Sequence, residues 1–334
     1  MKDVDFNWSI IGHKRILNFL EKSIKFQNLS HAYLFYGTGG LGKHSLATKF
    51  IQILQCENDK KLPCGQCSMC QQVQKGIHPD VYFLKKEEDK KNISIEQVRV
   101  LQRKLSMRSF AGSFKIALIN EAEVLSREAW DSLLKTLEEP TPRTIIILIT
   151  NSINVLPKTI LSRSQLLRFL PAPSSQIIDY LTHNLGIEPG QAEMLAQISL
   201  GKPGLAINFL QNPGLLENYQ KSINDFLGIL NSDMNQRMTS IDRLIPGDYK
   251  FLNKIELLQN TLFVWKLVVR DLLLLKTSPA SITNVNLGDK LKDISTNYSS
   301  TKLKNILKNI LKTQELLGLN VSPKLALNNL VLNI

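Results

Sequence analysis

The sequence predicts an α/β domain built on a parallel sheet, followed by an all-helical region. Three observations carry that expectation. Thr144–Thr150 is a β-branched run with no polar face. A strand apolar on both sides belongs in the middle of a parallel sheet with helices on both faces. Short apolar runs at Ala32–Tyr36, Val81–Leu84 and Lys115–Ile119 alternate with helical spacing that starts after Gly42 and runs to about Leu54, then at Ile95–Leu105 and Ser126–Glu139. Alternation of this kind implies a layered α/β domain. Beyond Pro171-Ala-Pro173 no further strand is expected. Residues 174–212 read as short helices with Gly201-Lys-Pro-Gly204 between two of them. Residues 215–334 read as longer helices, interrupted at Ser278-Pro279 and Asn284–Asn286.

The helix at Ser126–Glu139 shows how the chain encodes such elements. Ser126 is a natural N-cap, and Glu128 sits in the first turn, where the helix dipole favours an anion. Trp130, Leu133, Leu134 and Leu137 fall at i, i+3, i+4 and i+7, which gives one buried stripe. Pro140 and Pro142 stop the helix.

Composition narrows the class. The chain has 334 residues, 43% apolar and 21% charged, which is ordinary globular material long enough for two or three domains. With 17 Gly and 13 Pro it is no fibrous or low-complexity protein. Lys and Arg number 41 against 29 Asp and Glu, for a net charge of +12. That excess favours polyanion partners and says nothing about fold. The apolar runs are about five residues long, and the Leu-rich stretch Trp265–Leu275 carries Lys266, Arg270 and Asp271, so no membrane span is expected. The first ten residues hold acids and no apolar core, so no signal peptide is expected either. A cytoplasmic setting follows, in which thiols stay reduced.

Four motifs carry chemistry. The first is Gly37-Thr-Gly39-Gly-Leu-Gly42-Lys43-His44-Ser45, which follows a strand and opens a helix. Glycines of this spacing let backbone N–H groups curl around phosphates, and Lys43 reaches their charge. The hydroxyl that should hold Mg²⁺ is replaced by His44; Ser45 comes one residue later, roughly 100° round the helix. ATP or ADP binding is left open, and efficient Mg²⁺-dependent hydrolysis is not expected. The alternative is a glycine-rich turn kept for its shape. The second motif, Lys115-Ile-Ala-Leu-Ile-Asn120-Glu121, has the form of the acidic strand end of P-loop ATPases, with Asn120 where an Asp would hold the metal.

The third motif is Cys56-x7-Cys64-x2-Cys67-x2-Cys70, which contains all 4 cysteines of the chain. Four thiolates satisfy tetrahedral zinc, and the close C-x2-C spacing is what a shared ion requires. Four ligands leave no open position, so the site is expected to be structural. Disulfides and a redox pair are the alternatives, and His78 is a candidate to replace one cysteine. The fourth motif is Leu161-Ser-Arg163-Ser164, just past the central strand. Arg163 is either a surface arginine or one presented on a rigid edge to phosphate across a subunit contact; spacing alone does not choose.

Together with further segments, these motifs resemble the AAA+ clamp-loader subunits of bacterial DNA polymerase III, and among them the delta' type. The segments are Ile11-Gly-His-Lys14, His31-Ala-Tyr-Leu-Phe-Tyr-Gly37, Gly76-Ile-His-Pro-Asp80, Ser132-Leu-Leu-Lys-Thr-Leu-Glu-Glu-Pro140, Thr159-Ile-Leu-Ser-Arg163 and Asn320-Val-Ser-Pro-Lys-Leu-Ala-Leu327, with the cysteine insert after the loop helix. The resemblance implies an AAA+ P-loop core over 1–170 with a zinc insert at 56–70, a small helical lid over 171–212, and an all-helical collar over 213–334. It implies a five-subunit ring with gamma/tau and delta partners, which loads a sliding clamp onto primed DNA. It further implies a stator that lends the Arg of a Ser-Arg-Cys motif to a neighbour's ATP site. Arg163 matches that Arg, and Ser164 stands in for the Cys. The lid arginine of active relatives falls at Leu205. Three groups that would serve this chain's own ATP are thus replaced, at His44, Asn120 and Leu205, and the one serving a neighbour is kept.

Two rivals remain. An active gamma/tau-like motor should carry Lys-Thr/Ser, Asp-Glu and a lid arginine, and this chain has none of them intact. A zinc-containing nucleic-acid module should interleave aromatics with basic residues; around the cysteines there are Lys60, Lys61 and Lys75 but no aromatic.

Overall fold

The computed structural model describes residues 4–87, 90–110, 114–245, 251–277, 282–319 and 321–334. The interruption expected at Ser278-Pro279 lies outside the described residues. The chain divides into two compact units: Met1–Gly186 with Gly201–Leu205, and Ile187–Leu200 with Ala206–Ile334.

In the first unit the strands are β1 (Asp5–Phe6), β2 (Ala32–Tyr36), β3 (Lys61–Leu62), β4 (Val81–Leu84), β5 (Lys115–Ile119), β6 (Thr144–Thr150) and β7 (Gln165–Arg168). The helices are α1 (Lys14–Lys25), α2 (Lys43–Gln55), α3 (Ser68–Lys75), α4 (Ile95–Ser106), α5 (Arg127–Glu138), α6 (Lys158–Leu161) and α7 (Ser174–Leu185). Five strands form one wholly parallel sheet in the order β4-β5-β6-β2-β7. β6 lies at its centre, and all seven of its residues are buried, as its doubly apolar sequence requires.

Alternate residues of each strand feed two separate cores. Tyr33, Phe35, Ile116, Leu118, Ile145 and Ile147 pack on one face with Leu46 and Phe50 of α2. Ala32, Leu34, Ala117, Ile119, Ile146 and Leu148 pack on the other with α4 and α5. Ser126 caps α5 by accepting from the Ala129 N–H, and Trp130, Leu133 and Leu137 are buried. Leu134 lies at the margin of that stripe, only partly buried against the same core. Ser94 and Gln97 form a reciprocal capping box on α4.

The sequence reading missed three strands. β7 pairs with β2 at the sheet edge, and among its residues only Leu167 is buried, so it carries no apolar run to find. β1 and β3 pair with each other in parallel over two residues, too short for any periodicity.

The second unit is helical throughout its described residues: α8 (Pro189–Ile198), most of α9 (Pro203–Gln211), α10 (Pro213–Leu230), α11 (Met234–Leu244), α12 (Phe251–Leu275), α13 (Gly288–Asn297), α14 (Ser300–Gly318) and α15 (Pro323–Leu332). α12 packs along α14 and carries the fully buried Trp265, stacked on Phe226 of α10 with ring centroids 4.7 Å apart. Asp271 is also fully buried. Its carboxylate accepts from the Thr283 and Asn284 backbone N–H groups, both at 2.9 Å, and from Asn284 Nδ2 at 2.8 Å. A buried charge is tolerable only when hydrogen-bonded in this way. Asn284 in turn accepts from the Tyr219 hydroxyl, so one carboxylate anchors the connection into α13. No described helix is long and apolar enough to cross a membrane.

Candidate functional site

The glycine loop follows β2 and enters α2 at Gly42, which holds φ 86, a left-handed value that glycine adopts without strain. Lys43 opens the helix and is only 6% exposed. Its ammonium donates to the Gly37 and Thr38 carbonyl oxygens, the latter at 2.8 Å, and to Asn151 Oδ1 at 2.9 Å. Burial is the main force holding its pKa down, to about 8; Glu123 acts in the opposite direction, and Lys202 lowers it further. The lysine that would reach a phosphate is therefore engaged by protein oxygens.

The loop also meets a later segment of the chain at Gly40. Gly204 N donates to the Gly40 carbonyl at 2.9 Å, and a Cβ on Gly204 would stand 3.0 Å from that oxygen. The Gly-x-Pro-Gly segment thus docks on the loop through its second glycine. Beneath the loop His13 Nε2 meets the Leu41 carbonyl at 2.8 Å. Burial lowers the His13 pKa, so the neutral ring donates that bond.

His44 and Ser45 are exposed on the first turn of α2, with Gly39 exposed in the loop ahead of them. Asn120 follows β5 directly and is half-buried, and Glu121 is exposed with φ 51. The acid that acts on Lys43 is Glu123, which also accepts from the Asn151 N–H at 3.1 Å. Glu123 and Asn151 were absent from the sequence reading, and Lys202 stood there only as part of Gly201-Lys-Pro-Gly204, with no role at the loop. Their part in the loop leaves no local signal, because each meets it from a distant stretch of chain.

The cysteine cluster lies at the junction of α2 and α3. Cys56 ends α2, and Cys67 caps α3 by accepting from the Cys70 N–H at 3.4 Å. The four sulfurs lie within 4.8 Å of one another. A tetrahedral zinc with Zn–S bonds of about 2.3 Å would set them roughly 3.8 Å apart, so a small contraction around an ion completes the site. Backbone N–H groups of Asn58 and Cys64 point at Cys56 Sγ, and that of Cys67 at Cys64 Sγ. Hydrogen bonds from the Cys67 and Gln66 N–H groups lower the Cys64 pKa to about 6, whereas burial pushes the Cys56 and Cys70 thiols up, so metal binding has to displace protons from those two. The donor set fits a structural zinc. None of the four is in a disulfide. His78 stays out of the cluster: its Nδ1 accepts from the Asp80 N–H within the Gly76–Asp80 turn. Gln52 Nε2 donates to the Cys70 carbonyl at 3.0 Å, and Val73 enters the sheet core, so the insert is anchored to α2 and to the core.

Arg163 follows α6, between β6 and β7. Its Nη1 donates to the Thr159 carbonyl at 3.1 Å and to Ser162 Oγ at 3.3 Å. Its Nη2 pairs with Glu138 Oε1 at 2.9 Å. The pair borders an open cavity of about 530 Å³.

Comparison with known proteins gives these features a context. Residues 12–173 match the family model described as DNA polymerase III, delta subunit. The DNA polymerase III subunit gamma of Buchnera aphidicola subsp. Schizaphis graminum is 27% identical, over 97% of this chain and 93% of that protein. The subunit delta' of Pseudomonas aeruginosa is 36% identical, over 56% of this chain and 58% of that protein. The subunit delta' of Bacillus subtilis is 34% identical, over 55% of each. A solved gamma-subunit-related protein of Thermotoga maritima aligns at TM-score 0.43 and 14% identity, covering 94% of this chain and 97% of that one. A parallel α/β domain, a four-cysteine insert and a helical remainder thus accompany a sequence similarity to the DNA polymerase III clamp-loader subunits, the group of delta', gamma and tau.

Proposed function

We propose that this chain is a delta'-type stator of the loader and that its Arg163 serves the ATP site of a neighbouring motor subunit. The observation that carries this reading is the contrast between its two phosphate-directed devices. Lys43 of its own loop is spent on Gly37, Thr38 and Asn151, and the Mg²⁺-directed positions are His44 and Asn120. Arg163, in contrast, sits at the rim of an open cavity with part of its side chain in solvent. On this reading 1–170 is the AAA+ core, 171–212 the lid and 213–334 the collar. The partners are gamma/tau and delta subunits in a five-membered ring, which loads the sliding clamp on primed DNA. The zinc is structural, and the chain has no independent catalysis.

A guanidinium placed on a neighbour's γ-phosphate stabilises transition-state charge, worth roughly 10³–10⁵ in rate in well-studied GTPases. The effect in a ring is smaller, because several ATP sites share the work. The test is a loader reconstituted with Arg163→Ala in this subunit alone. ATPase stimulated by DNA and clamp should fall and clamp loading should slow, with assembly and zinc content unchanged. Arg163→Lys should restore only part, since an ammonium lacks the two-pronged contact. Rates equal to those of the unmodified complex would return Arg163 to an ordinary surface residue. The second reading, a gamma/tau-like motor, is favoured by the gamma relative that matches nearly the whole chain. It requires ATP turnover by this subunit that Lys43→Ala abolishes.

A further inference from the structure

Glu138 is the last residue of α5. A carboxylate there faces the negative end of the helix dipole, an arrangement unfavourable in itself. The Arg163 guanidinium offsets it, at 2.9 Å. With Thr159 and Ser162 holding the other amino group, the arginine is drawn back onto its own subunit. The side chains of Arg163 and Glu138 are 36% and 49% exposed, so an incoming anion can reach the pair. His31 and Ser164 line the same cavity, and His31 Nε2 and Ser164 Oγ lie just behind its surface. Both are buried without a hydrogen-bond partner among the described residues.

We propose that Glu138 is the resting counter-ion of Arg163, and that the neighbour's terminal phosphate must displace it before the arginine can act. This inference rests on the trans-acting reading of Arg163 above. A guanidinium offers the same N–H pairs to a carboxylate or a phosphate, and the more highly charged phosphate wins once the subunits close. Until then the carboxylate neutralises the arginine and restrains hydrolysis. The restraint is modest, because an exposed ion pair of this kind changes an equilibrium by about two- to five-fold.

The test uses the assembled loader carrying Glu138→Gln in this subunit only, with ATPase measured at saturating ATP. The basal rate, without DNA or clamp, should rise about two- to five-fold, while the rate with both stays unchanged, so the stimulation ratio contracts. Adding Arg163→Ala to Glu138→Gln should remove the gain. A merely structural role for Glu138 would instead shift the thermal midpoint of the subunit and leave the ratio alone. A basal rate unchanged or lowered by Glu138→Gln, while Arg163→Ala still cuts the stimulated rate, overturns this inference and leaves the trans-acting role standing. If Arg163→Ala leaves the stimulated rate intact, the trans-acting role falls and takes this inference with it.

Discussion

Replacing Cys67 by serine separates two roles that one sulfur plays. Cys67 Sγ is both a member of the four-thiol cluster and the N-cap of α3, accepting from the Cys70 N–H at 3.4 Å. Serine is a strong N-cap, so Cys67→Ser keeps the cap and removes only the thiolate. Apparent binding energies of structural zinc are about 10–16 kcal/mol at neutral pH, or roughly 2.5–4 kcal/mol per ligand if shared equally. Loss of one thiolate should then weaken zinc by about 10²–10³-fold, at 1.4 kcal/mol per decade. Cys67→Ala loses the cap as well and should cost a further 0.5–2 kcal/mol or so. Competition with a chromophoric chelator gives the affinity, and metal analysis of the unmodified chain should give about one equivalent, as a closed four-thiolate site requires. Circular dichroism should show the sheet unfolding cooperatively in both variants, because the insert contributes Val73 to a core otherwise built from the strands and their helices. Zinc held by Cys67→Ser as tightly as by the unmodified chain, or an unmodified chain without metal whose four thiols titrate freely in the native state, would falsify the account.

Three other outcomes are expected. The isolated chain should show no ATP turnover above background in a coupled assay, because His44 and Asn120 stand where Mg²⁺-directed groups belong; motor-like turnover removed by Lys43→Ala would contradict it. Lys43 has a pKa of about 8 in the fold against 10.5 as its ordinary value. Between those pH values the unfolded chain holds the proton and the folded chain does not, so this residue makes stability rise with pH from about 8 towards 10.5. Chemical denaturation across that range should show a shallower slope in Lys43→Met, and an identical slope would refute the burial argument. DNA binding by this subunit alone should be weak and fall steeply with salt, since only phosphate contacts are available to its spread charge; tight, salt-resistant, sequence-specific binding would favour the nucleic-acid module.

What the sequence determined by itself is whatever is encoded within one element or one short loop. The five apolar residues Ile145–Ile149 between Thr144 and Thr150 left β6 no polar face, so its place at the centre of a parallel sheet was legible in the sequence. Ser126 and the Trp130, Leu133, Leu137 spacing marked α5, and the four cysteines stand close enough in sequence that their meeting needed little tertiary help. Only the tertiary structure could decide the rest, because contacts between remote residues leave no periodic trace. β7 exists because β2 offers it an edge, although only Leu167 of its residues is buried. The state of the glycine loop depends on Asn151, on Glu123 and on Gly204, all far along the chain from Lys43. The acid whose charge acts on Lys43 is Glu123, in the turn after the Asn120-Glu121 strand end, and no motif singled it out. Arg163 was visible as a motif, but its partner Glu138 became visible only when the end of α5 was folded beside it. Local sequence sets which backbone shapes are favourable, and long-range packing sets which side chains share a charge.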